Sequence, residues 1–234
     1  MHPRPLRHAA QAERVGASCL LLRQALAVVA DFQSYLAAIG KQLDIDFGRA
    51  GVLGEAEDYS GILAHLRDTE FDVMLLDVSL PGKNGIEILK SLREIHPSLK
   101  VLIISTHPED QYGLRALRAG AAGYLTKSIS LEHLVEAVRE IAKGRRYISR
   151  ELASLLADSV GRKDADAPAH ESLSDRELQT LRLIAAGRKP ADIAAELALS
   201  PKTVSVYRSR ILDKLGLKSN AELARYAQRH GLVD

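Results

Sequence analysis

The sequence predicts an α/β fold, a doubly wound five-stranded parallel sheet, followed by a small all-α unit. Three observations carry this. Short unbroken apolar runs alternate five times with stretches of helical spacing, between about residues 26 and 143. The runs end at turn signals and are apolar throughout, as strands buried on both faces of a parallel sheet must be. Beyond residue 172 the strand signal stops and four helix patterns follow one another. The 234 residues are ample for two units, each with its own core.

The elements follow in order. Residues 1–24 show no clear period and read as a leader, disordered or partly helical. Leu26 to Ala30 is apolar and β-capable and ends at Asp31. Tyr35, Leu36, Ile39 and Leu43 then fall at helical spacing. Val52 and Leu53 lead into Gly54-Glu55-Ala56, a second strand, and Ile62, Leu63 and Leu66 mark a helix. FDVMLLDVSLPG, residues 71–82, places Val73 to Leu76 directly before Asp77 and ends on Pro81-Gly82, which stops the strand. Ile86, Leu89, Leu92 and Ile95 form a helix stopped by Pro97. VLIIS, 101–105, is a buried strand. Tyr112 to Ala119 is helical and ends at Gly120. Gly123 to Lys127 is the last strand. Ser130 caps a helix that runs to Lys143 and Gly144.

Residues 149–160 read as a further helix, and GRKDADAPAHES, 161–172, as a polar linker. Ser174 and Glu177 form a capping box. Pro190 opens a second helix, and Ser200-Pro201 a third that ends at Gly216. A fourth runs from Asn220 to about His230. The organisation expected is therefore a leader, 1–24; an α/β domain, 25–147; a helix and linker, 148–171; and a helical domain, 172–234.

Composition excludes several classes. Hydrophobic residues make up 46%, which excludes disorder for most of the chain. The lone Cys19 excludes an intramolecular disulfide and fits a reducing compartment. No run approaches the roughly 20 apolar residues of a membrane span. The basic N-terminus precedes a short apolar piece, but Arg23 and Gln24 interrupt it and no small-residue cleavage site follows. A cytoplasmic protein without a membrane partner is expected.

Two sites follow from position. In an open parallel sheet, ligands bind at the carboxyl ends of the strands. Asp31, Asp77, Ser105 and Lys127 each sit just past an apolar strand and can converge there. A strand-end aspartate could merely cap a turn; four polar residues at four strand ends are harder to explain that way. His65, His96, His107 and His133 are scattered and read as surface residues. The second site lies in residues 172–234, where eleven basic side chains stand against seven acidic ones, a net charge of +4. That excess favours a polyanion. In the third helix of this region, Val204, Ile211, Leu212 and Leu215 share one face. The opposite face carries Lys202, Ser205, Val206, Ser209 and Arg210. Small polar residues beside cations let a helix approach base edges, the arrangement of a helix-turn-helix whose second helix enters the major groove.

These stretches resemble the NarL/FixJ family of two-component response regulators. LLDVSLPGKNGIEIL, VLIIST, RALRAGAAGYLTK and a helix ending AKG resemble its receiver domain. LSDRELQTLRLIAAG, ADIAAELALSPKTVSVYRSRILDKLGL and KSNAEL resemble its LuxR-type helix-turn-helix. The resemblance covers roughly residues 26–234. It implies a flavodoxin-like receiver with Asp77 as phosphoacceptor. Ser105 corresponds to the hydroxyl residue that binds the phosphoryl group, Lys127 to the lysine that pairs with it, and Tyr124 to the aromatic switch. Mg²⁺ would be held by Asp31, Asp77 and the backbone carbonyl of Ser79. DNA would be contacted by Lys202, Thr203, Ser205, Val206, Ser209 and Arg210. The implied partners are double-stranded promoter DNA, a sensor histidine kinase, RNA polymerase and a second copy of the chain, paired through its last helix. The implied function is a transcription regulator, not an enzyme.

One position departs from the family. Two adjacent acidic residues normally follow the first strand, and here Ala30 precedes Asp31, so weaker Mg²⁺ binding is expected. A rival register makes LLLRQALAVVADF the first helix, with the leader supplying the first strand; spacing favours the register with Asp31 in the site. A regulator whose receiver works without phosphorylation, as a dimerisation module, is the alternative. An enzyme is a third reading, against which no GxSxG elbow, Walker loop or metal-ligand cluster is found. Lys127 and Ser105 are expected to matter to switching and little to folding.

Overall fold

The computed structural model of the chain describes residues 19–23, 51–80, 82–160 and 168–233. The first strand expected at Leu26–Ala30, the following helix, and Asp31 lie outside the described residues.

The described chain runs β1 (Cys19–Arg23), β2 (Gly51–Ala56), α1 (Tyr59–Asp68), β3 (Val73–Asp77), α2 (Gly85–Ile95), β4 (Lys100–Ser105), α3 (Glu109–Arg118), β5 (Gly123–Thr126), α4 (Leu131–Ala142) and α5 (Arg150–Val160). After a 3₁₀ turn at Ala169–Ser172 come α6 (Asp175–Ala185), α7 (Pro190–Glu196), α8 (Pro201–Leu215) and α9 (Asn220–Arg229). The strands form one sheet in the order β2-β1-β3-β4-β5. β3, β4 and β5 run parallel, as the apolar runs require. β1 differs on two counts. It arises from the leader, which shows no period in the sequence, and it pairs antiparallel with both β2 and β3, with a register shift at Leu21/Leu22. The expectation of an all-parallel sheet fails here. A short apolar stretch such as CLLLR suits a central strand but carries no sign of its direction.

Every residue of β3 is buried, and successive side chains serve opposite layers. Val73 and Leu75 join Leu102, Ile104 and Leu125 under the α4 residues Leu134, Val135, Val138 and Ile141. Met74 and Leu76 join Val101, Ile103 and Tyr124 in the opposite layer, with residues of α1, α2 and α3. That second layer continues without a break into Leu178, Leu181, Ile193, Val204 and Ile211 of the helical unit.

Local signals set most helix ends. Ser174 and Glu177 make the capping box, and Ser200 accepts from the Thr203 amide at 3.0 Å. Gly216 closes α8 at φ 64°, a left-handed conformation that glycine adopts without strain. Ser130 departs from expectation. It stands at the N-cap of α4 but makes no capping hydrogen bond; its hydroxyl lies 3.1 Å from His133 Nδ1 instead.

Candidate functional site

β3 delivers Asp77 to the edge of the sheet, where it is only 2% exposed. A buried carboxylate requires partners. Lys127 Nζ lies 2.8 Å from Asp77 Oδ2, and the Ser79 amide donates to Oδ1 at 2.9 Å. Lys127 follows β5, and its amide donates to the Ser105 carbonyl at 2.7 Å. Adjacent parallel strands thus bring Asp77, Ser105 and Lys127 to one edge.

The segment after β4 is tied to two of the predicted residues. The fully buried Ser105 accepts from the His107 amide at 3.1 Å. The Tyr124 hydroxyl donates to the His107 carbonyl at 2.8 Å. Tyr124 is itself wholly buried, and burial raises its pKa, opposed chiefly by a Ser105 hydrogen bond. His107 corrects a reading from sequence. It is half-buried rather than a surface residue, and burial, aided by the Arg182 charge, pulls its pKa down to about 4. Its ring lies 5.1 Å from that of Tyr112. Among the described residues no group of three His, Cys, Asp or Glu side chains gathers as a metal site.

The second predicted site lies on α8. Val204, Ile211 and Leu212 are buried, while Lys202, Ser205, Ser209 and Arg210 are exposed and Val206 is 42% exposed. Thr203 is half-buried, its hydroxyl 2.8 Å from that of Ser200.

Residues 26–139 match the family model of the response regulator receiver domain, and residues 171–227 match that of the bacterial regulatory proteins of the luxR family. The chain is 42% identical over 184 residues to the response regulator GacA of Pseudomonas aeruginosa, covering 78% of this chain and 86% of that protein. The chain belongs to the response-regulator family. The response regulator UvrY of Escherichia coli is 35% identical over 207 residues, covering 88% of this chain and 94% of UvrY. Among solved structures, RcsB from Salmonella enterica serovar Typhimurium bound to the promoter P1flhDC superposes with a TM-score of 0.55 at 26% identity, covering 84% of this chain and 94% of that one. The chain is thus a response regulator with a receiver and a LuxR-type DNA-binding unit. Among the described residues no helix is long and apolar enough to cross a membrane.

Sequence reasoning missed the seam between the two units of this response regulator. The loop after Asp77 forms one half of it. The Leu80 carbonyl accepts from Arg176 at 3.4 Å, the Gly82 amide donates to the Leu197 carbonyl at 3.3 Å, and Asn84 Nδ2 donates to Gln179 Oε1 at 3.3 Å. Receiver helices form the other half. Arg115 of α3 donates to the carbonyls of Leu173 and His170 at 2.7 and 2.8 Å. Asp175 receives Lys90 at 2.6 Å and Arg115 at 3.4 Å. Arg182 stands over the Tyr112 ring, 5.3 Å from its centroid. Asp175, Arg176, Glu177, Gln179 and Thr180 of α6 are all buried; Asp175, Arg176 and Gln179 meet receiver residues, while Glu177 meets Lys214 of α8. Burial lowers the Arg176 pKa, with Glu87 opposing. The Tyr112 hydroxyl, beside Arg182, finds no hydrogen-bond partner among the described residues, so the seam leaves a polar group that water would satisfy if it opened. DRELQTLRLIA reads as an ordinary amphipathic helix, with Leu178 and Leu181 on its apolar face, so nothing in it marks Asp175, Arg176 and Gln179 as buried.

Proposed function

We propose that this response regulator is phosphorylated on Asp77 and controls transcription by binding promoter DNA through α8. The observation that carries the reading is the ion pair between Asp77 and Lys127 at 2.8 Å, on a strand edge shared with the buried Ser105. The Asp77 carboxylate attacks phosphorus of the phosphoryl donor; the new phosphorus–oxygen bond forms as the bond to the donor's leaving group breaks. Such transfers depend on position and charge neutralisation more than on covalent help from the protein. Lys127 supplies a fixed cation, and the Ser105 hydroxyl, at the end of the adjacent strand, is the group that a phosphoryl oxygen would recruit. The oxygen donors of Asp77, the Ser79 carbonyl and Asp31 suit a hard cation, Mg²⁺, which would screen the incoming charge. With Ala30 in place of an acidic residue, that ion would be held weakly.

Ser105 and Tyr124 act as the switch. Both bind the backbone of His107, so a shift of the Ser105 hydroxyl toward a phosphoryl group loosens one of the two hydrogen bonds that hold that segment. Charge placed at one site thereby biases a two-state element. The partners of the receiver and DNA-binding unit are a sensor histidine kinase, duplex promoter DNA, RNA polymerase and a second copy of the chain, and the protein is a cytoplasmic regulator rather than an enzyme. RcsB is reported bound to promoters, which supports the DNA half of the reading.

Lys202, Thr203, Ser205, Val206, Ser209 and Arg210 form the DNA-contacting surface. Ser209→Glu puts a carboxylate against base edges and should abolish specific footprints. Lys202→Ala should weaken binding to all sequences alike and lower the salt slope by about 1. Footprinting on duplexes recovered from genomic DNA tests this, and wild-type footprints from both variants would show that α8 is not the reading helix.

A further inference from the structure

We infer that the receiver seats on the DNA-binding unit from behind, so that the docked chain is itself competent to bind a DNA half-site. This rests on the reading of α8 as the recognition helix and says how receiver docking bears on it. The receiver's contacts fall on three places: the turn leading into α6, α6 itself, and the carbonyl end of α7. Arg115 takes the carbonyls of His170 and Leu173 before α6. Arg176, Gln179 and Asp175 of α6 meet Leu80, Asn84 and Lys90. Gly82 meets Leu197.

With these contacts in place, the opposite side stays open. Lys202, Ser205, Ser209 and Arg210 remain exposed, and Val206 is 42% exposed. The basic residues of the unit divide the same way. Arg176 is 2% exposed and Arg182 half-buried, both spent on the seam. Lys189 ahead of α7, and Lys202 and Arg210 on α8, keep their charge in solvent, and Arg188 is exposed beside Glu196 at 3.7 Å. A polyanion drawn to this second set approaches a surface that the docked receiver leaves uncovered. Small hydroxyl side chains at 205 and 209 then let the backbone of α8 approach base edges without moving the receiver.

Regulation consequently acts on the pairing of two chains along DNA rather than on access to the helix. A single docked chain should bind one half-site as well as an undocked one. Locking the seam tests this.

In a Cys19→Ser background, Gly82→Cys with Ala198→Cys places two thiols across the Gly82–Leu197 contact. A Cβ at 82 meets nothing within 4 Å, although the φ of 74° there strains any side chain, and Ala198 is exposed. The probe is a duplex selected by the full chain from a random pool and cut down to one half-site. Its Kd is measured by fluorescence anisotropy for the oxidised protein and for the same sample after reduction. The Arg115→Ala chain, which loses the clamp on the carbonyls before α6, is measured beside them. Agreement of all three within twofold supports a DNA-competent docked state. A Kd tenfold or more weaker for the oxidised form, recovered on reduction, overturns it, as does a matching gain from Arg115→Ala. If the two thiols do not join under oxidation, the Arg115→Ala chain decides: a gain of tenfold or more over wild type overturns the inference, and agreement within twofold supports it. If the pool yields no bound duplex, the recognition helix itself is misread, and the inference falls with that reading.

Discussion

Asp77 is buried among aliphatic side chains, and Lys127 is the cation that balances it at 2.8 Å. The side chains are 3% and 12% exposed, so the pair is shielded from water. This revises the expectation that Lys127 matters little to folding. Removing one partner of a buried pair leaves an uncompensated charge. Lys127→Ala should therefore lower stability by about 3 kcal/mol, and Lys127→Ala with Asp77→Asn should recover most of the loss. Urea denaturation of the two variants checks this. Equal stability of wild type and Lys127→Ala would show that solvent already balances Asp77. His107 makes a second prediction. Its folded pKa is near 4, below the usual value of 6.5. Below pH 6.5 the unfolded chain binds the proton that the folded chain refuses, so stability is complete above that pH and falls as pH drops toward 4. His170 is lowered to about 4 as well, by burial first and the neighbouring His230 charge second. The slope of stability against pH between 6.5 and 4 should accordingly be shallower in His107→Asn, by roughly one proton's share. An unchanged slope would mean that His107 is hydrated in the folded chain.

At the scale of elements, two glycines are fixed by close approach. A Cβ on Gly85 would lie 2.0 Å from the Asp77 carbonyl oxygen. The start of α2 is thereby pressed against the end of β3, with the Gly85 amide donating to the Val78 carbonyl at 2.9 Å. Gly85→Ala should cost on the order of 3 kcal/mol, since backbone and not a flexible side chain must move. Gly113 does the same for α5: a Cβ there would meet Leu152 Cδ1 at 2.7 Å, and Leu152 is fully buried. Gly113→Ala should be milder, about 1 kcal/mol, because a leucine can turn aside. Thermal unfolding orders the two, and a reversed order would place the tight packing at α5. Most elements were legible in the sequence because each carried its own period and its own stop. Val73 to Asp77 and Val101 to Ser105 are apolar throughout; Ser174 with Glu177 and Ser200 with Pro201 announce helices. β1 was not legible, because Cys19 to Leu22 is too short to show a period and its direction depends on partners remote in sequence.

At the scale of the whole molecule, the strand-end site was readable because parallel topology brings strand ends together wherever the apolar runs stop. The face proposed to read DNA was readable because helical spacing separates Val204, Ile211 and Leu212 from Lys202, Ser205 and Ser209. The seam was not, since Lys90, Arg115 and Asp175 are ordinary helix-surface charges until the units meet. Nothing local distinguishes Arg115, which clamps two carbonyls, from Arg118, which meets the partly exposed Glu171 at 3.1 Å. The position of the seam matters to the functional account, because Leu80, Gly82 and Asn84 belong to the loop that leaves Asp77. Change at Asp77 thus has a direct structural route to the DNA-binding unit. The most direct measurement is duplex binding by the full chain on a two-half-site promoter fragment, with Mg²⁺, before and after addition of a beryllofluoride phosphoryl mimic. Wild type should tighten by about tenfold, a coupling of about 1.4 kcal/mol, while Asp77→Asn should bind at the untreated level in both conditions. Binding that tightens equally in Asp77→Asn, or wild-type binding indifferent to the mimic, would contradict phosphoryl control at Asp77.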